Sequence, residues 1–77
     1  MIYAITMNGK TTKHSDNTLS NTERFVINEM LSNAKDGQIA KIHTWERDLT
    51  GERGLLSVIT KDSKALHHTH NGYRFNV

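Results

Sequence analysis

Ser20-Asn21-Thr22-Glu23-Arg24-Phe25-Val26-Ile27-Asn28-Glu29-Met30-Leu31-Ser32-Asn33-Ala34-Lys35-Asp36-Gly37 is the stretch of this 77-residue chain whose apolar residues recur at helical spacing. Ile27, Met30, Leu31 and Ala34 follow the i, i+3, i+4, i+7 rule, with Val26 at the edge of the stripe. Ser20 and Glu23 have the spacing of a capping box, in which the hydroxyl accepts from the third helical N–H and the carboxylate from the cap's own N–H. Gly37 supplies a left-handed terminating position, and Lys35 lies near the negative end of the helix dipole. Phe25 falls almost opposite the stripe at about 100° per residue, among Asn21, Glu29 and Ser32. Its ring needs separate cover, and residues 10–19 folding back over it are the simplest one.

The sequence on either side reads as strands. Residues 2–7 are β-branched and aromatic and stop at Asn8-Gly9. Residues 8–19 contain almost nothing apolar and read as a long loop, a feature that compact domains reserve for function or mobility. Gln38 to Arg47 carries Ile39, Ala40, Ile42 and Trp45, and Leu55 to Lys61 carries Leu55, Leu56, Val58 and Ile59. With Asp48 to Gly54 between them as a flexible hairpin loop, these two are expected to be antiparallel neighbours. Residues 62–64 turn the chain. Asn71-Gly72, the strongest two-residue hairpin signal, then places residues 65–70 and 73–77 in a terminal hairpin, with His70 opposite Tyr73, His68 opposite Phe75 and Leu66 opposite Val77. A competing reading makes residues 62–68 one helical turn.

The order β-α-β-β-β over a single domain, residues 1–77, predicts an α+β fold with one helix packed on a four- or five-stranded, mainly antiparallel sheet. One helix sheathes only one face of such a sheet, so the other is left partly open. The strand of Tyr3, Ile5 and Met7 and that of Tyr73, Phe75 and Val77 are candidates for lining it.

Composition narrows the chemistry. The chain has no Cys and no Pro, only 35% apolar residues, and ten Lys and Arg against eight Asp and Glu, for a net charge of +2. Disulfides, thiolate nucleophiles and Cys-built zinc sites are excluded. A chain this short buries only about 60% of its unfolded surface, so further burial in a partner or in a homodimer is expected. Cations and anions alternate, which gives neither a polybasic arm nor an acidic mimic of DNA. No apolar stretch approaches the ~18 residues of a membrane span, and the signal-peptide order is absent. A soluble, cytoplasmic protein without membrane contact is expected.

His68 and His70 would point to one side of a strand, the arrangement of an H-x-H metal chelate. Such a site needs a third ligand from His43, Asp62 or His67, and the simpler reading stacks both imidazoles on Tyr73 and Phe75. No resident metal or cofactor is therefore expected. His67 or His43 with Arg47 or Arg74 is the smallest set able to do acid-base work on a phosphate, but no Gly-rich phosphate loop, paired-carboxylate motif or nucleophile elbow accompanies it, and an enzyme is not expected. A nucleic-acid surface would use Tyr3, Trp45, Tyr73 and Phe75 for stacking and Lys41, Arg47, Arg53 and Arg74 for phosphates, against the opposing charges of Glu46, Asp48 and Glu52. Protein binding is motivated by Phe25 on the wrong helix face, Leu49 at a loop tip and the uncovered sheet face. Trp45 is most simply core, and a binding anchor second. The candidate partner-binding residues are Phe25, Trp45, Arg47, Leu49, Arg53 and Arg74.

The layout of Leu19-Ser20-Asn21-Thr22-Glu23 opening the helix, Gly37 with Ile39 and Ile42 opening the next strand, and the Leu55 to Thr60 strand resembles small accessory proteins of bacteriophages and mobile elements. Anti-CRISPR proteins and inhibitors of host polymerase or restriction systems are among them. The resemblance implies a non-enzymatic inhibitor or regulator that acts stoichiometrically on a host protein or nucleoprotein complex. The alternative is a nucleic-acid-binding module that uses the open sheet face and the basic residues of the second half.

Overall fold

A computed structural model describes residues 1–62, 65–70 and 73–76, with the side chains of residues 1–62 and of Leu66. The elements are β1 (Ile2–Met7), β2 (Lys10–Ser15), α1 (Leu19–Asn33), β3 (Ile39–Arg47), β4 (Arg53–Asp62), β5 (Ala65–His70) and β6 (Tyr73–Asn76). The strands form one sheet in the order β2-β1-β3-β4-β5-β6, and every neighbouring pair is antiparallel. This is the α+β fold of one helix on an antiparallel sheet. The competing helical turn is not what the described residues form: β4 runs to Asp62 and residues 65–68 belong to β5. The terminal hairpin has the anticipated register, His70 opposite Tyr73 and His68 opposite Phe75. The pairing of Leu66 with Val77 lies outside the described residues.

The segment read as a loop is a strand. Asn8 and Gly9 both have positive φ, 55° and 74°, as a type I′ hairpin requires. The chain therefore reverses directly into β2, which pairs along the whole of β1 from Met7↔Lys10 to Ile2↔Ser15. β2 has no apolar residue because it is an edge strand whose side chains are mostly exposed, and its two lysines are the charges expected on an unpaired edge.

The helix starts and ends differently from the capping-box reading. Thr18 is the N-cap, and its hydroxyl accepts from Asn21 N–H at 3.1 Å. The last turn closes on Ala34, whose carbonyl accepts from Lys61 Nζ at 2.7 Å. Gly37 does take positive φ, but in the turn beyond the cap, where its N–H donates to the Lys61 carbonyl. Lys35 likewise lies past the helix. The buried side chains are Thr22, Glu23, Val26 and Met30, with Leu19, Ile27 and Ala34 packed at the margin. Leu31 is exposed. The stripe is thus rotated from the apolar one, because two of its core positions are polar. Glu23 is only 5% exposed, and its carboxylate accepts from the buried Ser57 hydroxyl at 2.8 Å. A carboxylate is tolerated at that depth only when hydrogen bonded.

The core between helix and sheet holds Tyr3, Ile5, Val26, Met30, Ala40, Ile42, Ile59 and Leu66. Tyr3 and Ile5 therefore face the helix, and the expectation that the Tyr3-Ile5-Met7 face lies open is reversed. The open face is the other parity of β1, Ile2, Ala4 and Thr6.

Candidate anion-binding site on the open sheet face

Strand register assembles the open face in rows. Ala4 pairs with Lys13 on one side and His43 on the other, and His43 pairs with Leu55. Thr6 pairs with Thr11 and Lys41, and Lys41 pairs with Val58. The hydroxyls of Thr6 and Thr11 share a hydrogen bond of 3.0 Å. Register shifts interrupt the β3–β4 ladder at Leu56 and again across Thr44, Trp45 and Glu46, which stand opposite the single residue Gly54. Gly54 N–H donates to the Thr44 hydroxyl, and that hydroxyl donates to the Glu46 carbonyl. Such an irregularity re-aims the side chains it contains. Here the result concerns Trp45, over whose ring Lys13 Nζ stands at 5.1 Å and the Arg53 guanidinium at 4.7 Å.

Both arginines at this end of the face are anchored. Arg53 Nε donates to the Trp45 carbonyl at 3.0 Å. One terminal nitrogen of Arg47 donates to the Gly51 carbonyl at 2.9 Å. The loop behind Arg47 is itself built around Asp48. Its carboxylate accepts from the N–H and hydroxyl of Thr50 and from Glu52 N–H, its backbone pairs with Glu52, and Gly51 takes φ of 84°. These hydrogen bonds, led by that from the Thr50 hydroxyl, hold the Asp48 carboxyl below its ordinary value.

Between these groups is an open depression of about 330 Å³, lined by Ala4, Thr6, His43, Arg47, Gly51, Glu52 and Arg53. Glu52 is the one carboxylate in that lining. Among the described residues no ion pair involves Lys13, Lys41, Arg47 or Arg53; the one salt bridge joins His14 to Asp16. His43 is held below its ordinary value by burial, then by the charges of Lys41 and Arg53, so its ring is neutral near pH 7. The arrangement can hold an anion.

Three of the candidate residues, Trp45, Arg47 and Arg53, thus come together. Trp45 is half-buried at the sheet's end and stands outside the core cluster, which corrects its reading as core. Leu49 is fully exposed at the tip of the adjoining loop. Phe25 lies on the helix side, 44% exposed, and its cover is the His14 ring of β2, stacked at 4.6 Å. Tyr3, buried under the helix, cannot serve as a stacking platform. The side chains of Arg74, Tyr73, Phe75, His67, His68 and His70 lie outside the described residues. Among the described residues no three His, Asp or Glu side chains are grouped to hold a metal ion, and the charges beside His43 oppose a cation there.

Lys13 escaped the sequence reading because it sits in the segment taken for a loop; applying the Asn-Gly hairpin rule at 8–9 as at 71–72 brings it beside Ala4. Among the described residues no helix is long and apolar enough to cross a membrane. No protein-family model, curated protein or solved structure matches the chain.

Proposed function

We propose that this protein is a non-enzymatic module that binds a single-stranded nucleic acid on the open face of its sheet. The observation that carries this reading is the placing of Lys13 and Arg53 over the Trp45 ring, with Lys41 and Arg47 on the same strand as Trp45, none of the four in an ion pair among the described residues. Unneutralised cations spaced across a flat surface attract a polyphosphate backbone, and an arginine plane laid on an indole offers its outer side to a base. The test is a titration with mixed-sequence oligonucleotides followed by the emission of Trp45, the only tryptophan in the chain. Four phosphate contacts give a slope of log K against log salt of about −2.8. No binding at low salt overturns the reading.

A second reading is favoured by Leu49. A fully exposed leucine, held out by the Asp48-centred hydrogen bonds, is an anchor for a protein pocket, and the cations beside it suit an acidic partner. This is the stoichiometric inhibitor or regulator of a host protein or nucleoprotein. Leu49→Ala separates the two: it leaves oligonucleotide affinity unchanged and weakens a protein partner.

A further inference from the structure

We propose that the depression floored by Ala4 and walled by His43, Arg47 and Arg53 is a subsite for a phosphomonoester, the terminal phosphate of a strand lying on the open face. The inference rests on the nucleic-acid reading above and adds a specific chemical group to it.

Three observations carry it. The first is preorganisation. Arg47 and Arg53 each spend one N–H on a backbone carbonyl, Gly51 and Trp45 respectively, which fixes the planar head groups. A guanidinium carries five N–H donors, so four remain on each arginine. Part of the side-chain ordering that normally weakens binding is thus in place before an anion arrives.

The second is shape. Ala4 is 1% exposed and lies between the rows of Lys13 and His43; its methyl group is too short to fill the space that its larger neighbours enclose. The resulting volume of about 330 Å³ is at the lower end of the ~300–1,000 Å³ range of ligand pockets. It suits a phosphate with its sugar rather than a larger ligand.

The third is charge and donor count. A phosphodiester presents one negative charge on two non-bridging oxygens. A monoester carries about −1.5 to −2 charges near neutral pH and three free acceptor oxygens. Two anchored guanidiniums and the imidazole of His43 line the one depression with three separate donor groups, more than a diester uses. Lys13 and Lys41, point charges outside the depression, are the groups left for diesters along the strand. Glu52, also in the lining, is the opposing charge.

The experiment compares a short oligothymidylate ending in a 5′-hydroxyl, a 5′-phosphate or a 3′-phosphate, with inorganic phosphate as the fourth probe, all followed by Trp45 emission. A terminal phosphate at one end is expected to tighten binding about tenfold, the size of one charge-assisted hydrogen bond. Arg47→Ala, at an exposed position, is expected to erase that preference to within about twofold, and Glu52→Gln to enlarge it. Ala4→Ile, which fills the depression without changing charge, reports separately on shape. An unchanged unfolding midpoint establishes that each variant is folded. Equal affinity for all three oligonucleotides overturns the subsite and leaves the reading of the face standing. If no oligonucleotide binds, yet inorganic phosphate shifts Trp45 emission in the wild type and not in Arg47→Ala, the nucleic-acid reading falls and the phosphate pocket stands. No response to any probe overturns both.

Discussion

Arg53 reaches back across the β3–β4 hairpin to donate through Nε to the carbonyl of Trp45, while its guanidinium lies over that residue's own ring at 4.7 Å. One side chain is thus held by the backbone and the indole of one residue. Arg53→Ala is expected to weaken oligonucleotide binding uniformly across sequences and to reduce the salt slope by about 0.7, the contribution of one phosphate contact. Arg53→Lys keeps the charge and loses the fork, so it should retain the slope while weakening binding at every salt concentration. A set of salt titrations on the two variants checks both outcomes.

The hydrogen bond from Ser57 to Glu23 ties the helix to β4 inside the core. Ser57 is 1% exposed and Glu23 5%, so no water replaces the hydroxyl once it is removed. Ser57→Ala is expected to destabilise the fold by about 1.5–3 kcal/mol, the range for hydrogen bonds to charged groups. Urea denaturation should show the midpoint falling with an unchanged slope. A midpoint equal to the wild type's would mean that the helix does not depend on this contact.

Acid sensitivity should reside at the sheet's ends. Asp48 is held below its ordinary carboxylate value by the Thr50 hydroxyl and by backbone N–H groups, and Asp16 by Asn17 N–H first and by His14 among its other partners. A carboxyl whose native value is depressed contributes stability in full above its unfolded value, about 3.9. That contribution is lost as pH falls through the native value, because the unfolded chain takes up the proton more readily. Asp48→Asn should therefore flatten the stability profile below about pH 4, leaving the Asp16 share. Thermal unfolding between pH 2 and 6 measures it.

The sequence made the helix, the β3–β4 pair and the terminal hairpin legible because each has a periodicity or a turn dipeptide that local physics determines. The rotation of the helix was not legible. Thr22 and Glu23 look like surface residues, and the hydrogen bond that Glu23 accepts in the core comes from Ser57, 34 positions away. β2 was hidden for a related reason: an edge strand with mostly exposed side chains needs no apolar residue, so Lys10-Thr11-Thr12-Lys13-His14-Ser15 imitates a loop. The site was half visible. Trp45, Arg47 and Arg53 were singled out from type and position, but the register that sets Lys13 and His43 on either side of Ala4 exists only once three strands are aligned.

His43 supplies the remaining test, because its titration responds both to its neighbours and to a ligand. Burial lowers its value first, then Lys41 on its own strand and Arg53 on β4; Lys13 shares its row from β2, and Glu52 is the opposing charge in the depression. Between the native value and the ordinary one, about 6.5, the unfolded chain binds more protons than the native one. Stability therefore rises with pH across that window. Lys41→Gln removes one opposing charge and is expected to move the His43 value upward and narrow the window. Phosphate in the depression should move it in the same direction, since a dianion favours the imidazolium, and binding should be accompanied by proton uptake. An NMR titration of the His43 ring, assigned with His43→Gln, reads both shifts. A ring that titrates identically with and without phosphate would place the anion away from His43 and break the link between the imidazole and the two arginines.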